Sequence, residues 1–262
     1  MKGLSKAIWT ESLKAIRSKI LWISFLVFSF IAIMIGILVF IANHPDLVGD
    51  SVVMSAKASM LGNADWPAYF ELLYQVVAMI GMIGFGFLIS WTFGREYTDR
   101  TLKDILALPV SRYAIVLSKF VVITIWSFLL TIILFVLAVV TGLAVNIPGW
   151  MGQTALHAFF IFVSTAMLTL LIGTPIAFLA SCGRGYLLPI GFIILIAIIT
   201  QFMMVAIPGS ALYIPWAIPA LFCGAAGPSG PHLGAASYII LLLTSILGLI
   251  MTLAWWRFAD AR

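Results

Sequence analysis

The chain has 262 residues, 63% of them hydrophobic and 9% charged, and a mean hydropathy of +1.19. A globular domain carries about 25% charged residues and must cover itself with polar surface, so a soluble domain is excluded and the apolar excess must face lipid. The formal charge of +5 reports orientation and not nucleic-acid binding, because Lys and Arg collect in the stretches between apolar runs.

Residues 3–19 read as an amphipathic helix. Leu4, Ala7, Ile8, Ala15 and Ile16 share one face, with Lys2, Lys6, Lys14 and Arg17 around the other. Such a helix lies flat at the inner membrane interface, and the same residues serve as a basic flank that orients the chain. Apolar runs follow at 20–42, 70–93, 115–143, 156–181, 187–207 and 236–257, each longer than the roughly 17 residues a bilayer requires. They lack the alternation of barrel strands, and backbone amides in lipid must bond internally, so they are helices. The expectation is an all-α polytopic membrane protein: one transmembrane domain over 1–262 with six transmembrane helices. The first run is too long for a signal peptide, and Asn43-His44-Pro45-Asp46 offers no small-residue cleavage site.

An even number of crossings puts both termini on one side. Thirteen of the fourteen basic residues fall there, including Lys19, Arg95, Arg100, Lys103, Arg112, Lys119, Arg184, Arg257 and Arg262, against Lys57 on the other side. Both termini are therefore expected in the cytoplasm, with Asp46, Asp50, Asp65 and Glu71 outside. Interfacial aromatics agree: Trp22, Trp91, Tyr186, Trp255 and Trp256 inside, and Trp66, Tyr69, Trp150 and Trp216 outside. Cys182 and Cys223 then lie on opposite sides, which excludes a disulfide between them. Residues 208–234 are rich in Pro and Gly yet apolar and uncharged, so they are expected to dip into the outer leaflet as short broken helices.

Several chemistries lack their residues. No G-x-x-x-x-G-K-[ST] loop occurs, so ATP must be handled by another polypeptide. Gly81, Gly84 and Gly86 sit in the second run, where close helix packing explains them. His44, His157 and His232 stand without Cys or acidic residues at ligand spacing, so no metal site is expected. Met79, Met82, Met203 and Met204 read as packing, and no nucleophile with a base emerges. The middles of the runs hold no ionisable group, which weighs against ion-coupled transport. The mild polar residues there serve first to hold helices together. Of these, Gln75, Ser127, Thr131, Thr165, Thr169 and Gln201 are candidates for lining a path.

The densest charge follows the second run. Glu96 and Arg100, Asp99 and Lys103, and Arg100 and Asp104 are opposite charges four apart, which predicts a helix over 95–107 ended by Pro109. Tyr97, Thr101, Leu102, Ile105 and Leu108 give it one less polar face. Such a helix either docks a partner or lies solvated on the membrane surface.

Glu96, Thr101, the run Leu108-Pro109-Val110-Ser111-Arg112 and Lys119 together resemble the permease subunit of ABC transporters of the type-2 exporter family. The basic helix before the first run is similar to that family's elbow helix, and six spans with a broken segment before the last match its outline. The resemblance implies a half-transporter in the bacterial plasma membrane. Two permease chains would form the path, and two separate ATP-binding subunits, which bind ATP and Mg, would dock beneath. The 95–107 helix would be the coupling helix, with Glu96, Tyr97, Thr101, Asp104, Ile105, Pro109, Arg112 and Lys119 in docking and coupling. Glu96 would be anchored by Arg112, Lys119 or a base on the ATPase, and Arg112 would cap the coupling helix. Relatives of this kind export bacitracin- or lantibiotic-type peptides, drugs, sodium ions or factors for copper-site maturation. The apolar interior favours a peptide antibiotic, a drug or another amphiphile. A scaffold or sensor partnering a kinase or protease, and an ion-coupled secondary transporter, are the competing classes.

Overall fold

The computed structural model describes residues 2–44, 65–107, 109–227 and 230–258. Asp46, Asp50, Lys57, Leu108 and Arg262, used above, lie outside them. The described residues are helical and contain no strand.

A first helix, α1 (Lys2–Ile16), ends just before Ser18, whose hydroxyl accepts from the Ile20 amide and starts α2 (Lys19–Asn43) in a new direction. The next crossing, α3 (Trp66–Thr98), begins where Asp65 accepts from the Ala68 amide at 3.0 Å and Pro67 occupies the first turn, both start signals. A single turn, α4 (Leu102–Leu106), leads to α5 (Arg112–Ala144), capped by Ser111. The fourth crossing is broken into α6 (Gly152–Leu171) and α7 (Thr174–Cys182). After α8 (Leu187–Ala206) come two 3₁₀ turns, Pro208–Tyr213 and Pro215–Ala217, the short α9 (Ile218–Phe222), and finally α10 (Ala235–Phe258). Among the described residues, six helical segments are long and apolar enough to cross a membrane: α2, α3, α5, α6 with α7, α8 and α10.

At 1.5 Å per residue, α3 and α5 are each about 50 Å long, beyond a hydrocarbon core of about 30 Å. Their ends therefore project, and those at the basic end of the bundle carry Arg95, Glu96, Arg112 and Lys119. Of the six crossings α3 is the most buried and α8 the least. At the opposite end an aromatic cluster sets where α3 starts: the Trp66 ring lies 4.5 Å from Trp150 and 5.3 Å from Phe70, and Tyr69 donates to the Ala138 carbonyl at 3.0 Å. Gly84 and Gly86 make the close contacts expected of them, against Phe28 of α2 and Ile193 of α8, whereas Gly81 faces only side chains of its own helix. The 208–222 segment packs back onto the bundle, with Ala211, Ala217 and Ile218 fully buried and Trp216 edge-on to Phe192 of α8 at 5.5 Å.

Candidate functional site

The expected single helix over 95–107 is two helices meeting at a turn. After Thr98 the chain reverses through Arg100 at φ +58°. The Arg100 amide donates to the Tyr97 carbonyl and the Thr101 amide to the Glu96 carbonyl at 3.0 Å. This is a Schellman stop with Arg where Gly is usual. The four-residue charge pairs that argued for continuity are worth only about 0.2–0.5 kcal/mol each on a helix surface. Glu96 has stronger partners elsewhere. Thr101 Oγ1 donates to its Oε2 at 2.7 Å, and Lys119 Nζ lies 2.8 Å from its Oε1. Charge-assisted bonds of this kind outweigh a surface pair.

Lys119 is fully buried and directs its three N–H groups at Glu96, at the Glu11 carboxylate (3.1 Å) and at the Thr92 carbonyl (3.2 Å). Glu11 of α1 is 5% exposed and also meets Lys14 at 2.9 Å and Arg95 at 3.1 Å. Lys14 in turn reaches Glu96 at 3.3 Å. Two carboxylates and three cations from α1, α3 and α5 thus form one cluster in which each charge is paired. Burial alone would raise the Glu11 carboxyl, but Lys119, Lys14 and Arg95 outweigh it and hold the group below its ordinary value of 4.5. The stability this carboxylate adds is therefore present above pH 4.5 and is lost as pH falls through the lowered value. Of the anchors expected for Glu96, the structure selects Lys119. Arg112 instead caps the last helix, donating to the Trp256 carbonyl at 3.2 Å and the Arg257 carbonyl at 2.8 Å. Glu11 was missed from sequence, although it is the only acidic residue before Asp46.

The less polar face of this segment is turned into the permease and not outward. Tyr97 lies edge-on to Trp256 at 6.3 Å and accepts from Trp255 Nε1 at 3.3 Å. Ile105 is buried in a cluster with Phe93, Ile115, Val116 and Trp256. Among the described side chains of 95–109, the exposed ones are Thr98, Asp99, Arg100, Lys103, Asp104, Ala107 and Pro109. Replacing Tyr97 and Ile105 with Asp is thus no selective probe of docking. Ile105→Asp is expected to destabilise the permease itself by at least ~2 kcal/mol, read as a lower melting temperature in detergent. An unchanged melt would mean that Ile105 is not packed as described.

The residues proposed to line a path are not gathered in one place. Ser127, Thr131, Thr165 and Thr169 are buried inside the bundle, and the three threonines donate to carbonyls of their own helices. Gln75 is half-buried and Gln201 exposed. Gln201 does line a cavity of about 130 Å³ between α3, α8 and the 208–222 segment, together with Met79, Met82, Thr200, Met204 and Trp216. Thr200 Oγ1 and Trp216 Nε1 are buried without a hydrogen-bond partner. The cavity therefore has largely apolar walls, with two unpartnered polar atoms buried in its lining residues. Adjacency to Gln201 was the one sequence signal for Thr200, while Trp216 read as an interfacial aromatic.

Comparison with known proteins bears on both features. Residues 7–201 match the family described as ABC-2 family transporter protein, a stretch that includes the whole ion cluster. The chain is also similar to the bacitracin transport permease protein of Bacillus licheniformis, with 32% identity over 186 residues, covering 71% of this chain and 88% of that relative. The agreement extends well beyond the 96–119 motif. It spans the first four crossings and most of the fifth, so this multi-pass membrane protein belongs to the ABC-2 transporter family as a permease.

Proposed function

We propose that the chain is the membrane half of an ATP-driven exporter in the bacterial plasma membrane. In this reading both termini and the 95–112 segment are cytoplasmic, a second copy completes the path, and two ATP-binding subunits that bind ATP and Mg dock beneath. The observation that carries it is the mounting of the 99–109 segment. Its outward face is charged, and it is seated through Glu96 and Lys119 on the projecting ends of α3 and α5. Closure of the ATP-binding subunits pushes this face, and a rigid seat passes the displacement to both crossings. The energy enters as a difference in ATP affinity between the two arrangements.

A face of mixed charge docks through polar contacts, so its binding weakens as salt rises. The test is co-expression with the genes neighbouring this chain's own and co-purification of an ATP-binding protein, followed by vanadate-sensitive ATP hydrolysis. The charge exchange Lys103→Glu with Asp104→Lys is expected to lower permease-stimulated hydrolysis about tenfold, the equivalent of 1.4 kcal/mol of docking energy, with the melting temperature of the permease unchanged. Stimulation at the full rate would place the docking face elsewhere.

The substrate in this reading is a peptide antibiotic, a drug or another amphiphile. The α3/α8 cavity supports it, since largely apolar walls with Gln201 at the lining suit a molecule with an apolar body and a hydrogen-bonding edge. The relative's role in bacitracin transport points the same way. The second copy is proposed to close the face formed by α8, the least buried crossing, and by the exposed Met79, Ile80 and Ile83 of α3.

A further inference from the structure

Helix α1 is fastened to the 95–112 segment at both of that segment's ends, and to α5 beyond it. On the near side Glu11 and Lys14 hold Arg95 and Glu96, which immediately precede the α3 stop. On the far side a Cβ placed on Gly3 would lie 3.9 Å from Val110 Cγ1, and Glu11 also holds Lys119 of α5, about two turns beyond the segment. Between these points α1 packs along α5. At its other end α1 meets α2 through one break at Arg17 and Ser18, across which Trp22 Nε1 donates to the Ile16 carbonyl at 3.0 Å. A short rigid helix held at several points along its length by the segment and by the helix that follows it moves with them, and whatever it joins must follow.

We infer that Glu11 is a positioning residue of the ATP-driven cycle, clamping α1 to the docking segment so that the displacement reaches α2 as well as α3 and α5. The clamp rests on the proposed transport function and goes beyond it, because that reading moves only the two crossings that flank the segment. A glutamate suits the task, since one carboxylate accepts from Lys14, Arg95 and Lys119 together, and a glutamine, with one acceptor oxygen and no charge, does not replace it.

The experiment uses the complex of the full chain with its ATP-binding subunit in liposomes. Exposed Cys182 is replaced by Ser, and the buried Cys223 is retained. Gly3→Cys and Val110→Cys are joined by a short bis-methanethiosulfonate linker. If α1 travels with the segment, the linked complex hydrolyses ATP within about twofold of the unlinked one, whereas Glu11→Gln lowers the rate about tenfold, as expected when a group that transmits position is loosened. The linker in the Glu11→Gln background then restores the rate, because a covalent tie replaces the electrostatic one. A link that stops hydrolysis in the Glu11 protein, with recovery on reduction, overturns the inference, and so does a Glu11→Gln complex that turns over at the full rate. A permease whose every variant fails to bind or stimulate the ATP-binding subunit, the Glu11 protein included, refutes the proposed function instead.

Discussion

Replacing Lys119 with Ala is expected to be among the most damaging single changes in the chain. Lys119 is fully buried, and its ammonium lies 2.8 Å from Glu96 and 3.1 Å from Glu11. Its removal leaves two carboxylates buried in one cluster and the Thr92 carbonyl without its lysine donor. Breaking a buried ion pair from one side costs about 3–5 kcal/mol. Lys14 and Arg95 still screen the carboxylates, which places the expected loss near the lower end of that range. The measurement is the melting temperature and the monodisperse yield in detergent. Glu11→Gln and Glu96→Gln added to Lys119→Met should recover more than half of the loss, because no carboxylate is then left buried without its lysine, and the Lys14 and Arg95 cations that lose partners keep access to solvent. A Lys119→Ala protein that melts with the parent would show that the cluster does not hold the helices together.

The second large effect is expected at Gly248. A Cβ there would overlap the backbone of Pro175 and come within 2.7 Å of the Thr174 carbonyl carbon, where no side chain can rotate away. This is the point at which α10 crosses the break between α6 and α7, and Thr174 Oγ1 donates to the Ser245 carbonyl at 2.7 Å alongside it. Gly248→Leu must push α10 from α7, losing that bond and the packing around it, at a cost of about 3 kcal/mol. Gly152→Ala is the control, since a Cβ at Gly152 meets nothing within 4 Å. It should leave the melt unchanged. Equal melts for the two variants would mean that α7 and α10 are not in backbone contact.

Much of the architecture was legible from residue order. The apolar runs located the crossings, and the prolines and glycines after 208 announced the short turns seen over 208–222, whereas the helix starts at Asp65 and Ser111 came from the structure. The motif from Glu96 to Lys119 contained both members of the pair but left Arg112 and a base on the ATPase as equal alternatives, and the structure places Lys119 against Glu96. Tyr97 and Ile105 show where periodicity stops being enough. Their spacing correctly marks a shared apolar face, but a period holds no information about what covers it, and Trp255 and Trp256 from the far end of the chain do so. The break at Arg100 was hidden for a related reason. Surface charge pairs argue for helix only while their members are free, and Glu96 is engaged elsewhere.

What the sequence by itself determined is therefore what solvent transfer decides: which stretches enter lipid, how many crossings there are, and which residues stay among charges at the ends. Those free energies add up over neighbouring residues, so a local window contains them. The tertiary structure decided the rest: that Glu11 reaches Lys119 across 108 positions, that the described residues of 98–109 turn a polar face outward, and that Thr200 and Trp216 line one cavity. These depend on the distance and angle between packed helices, where a shift of a few ångströms makes or breaks a charge-assisted bond, and no local stretch of residues encodes that geometry.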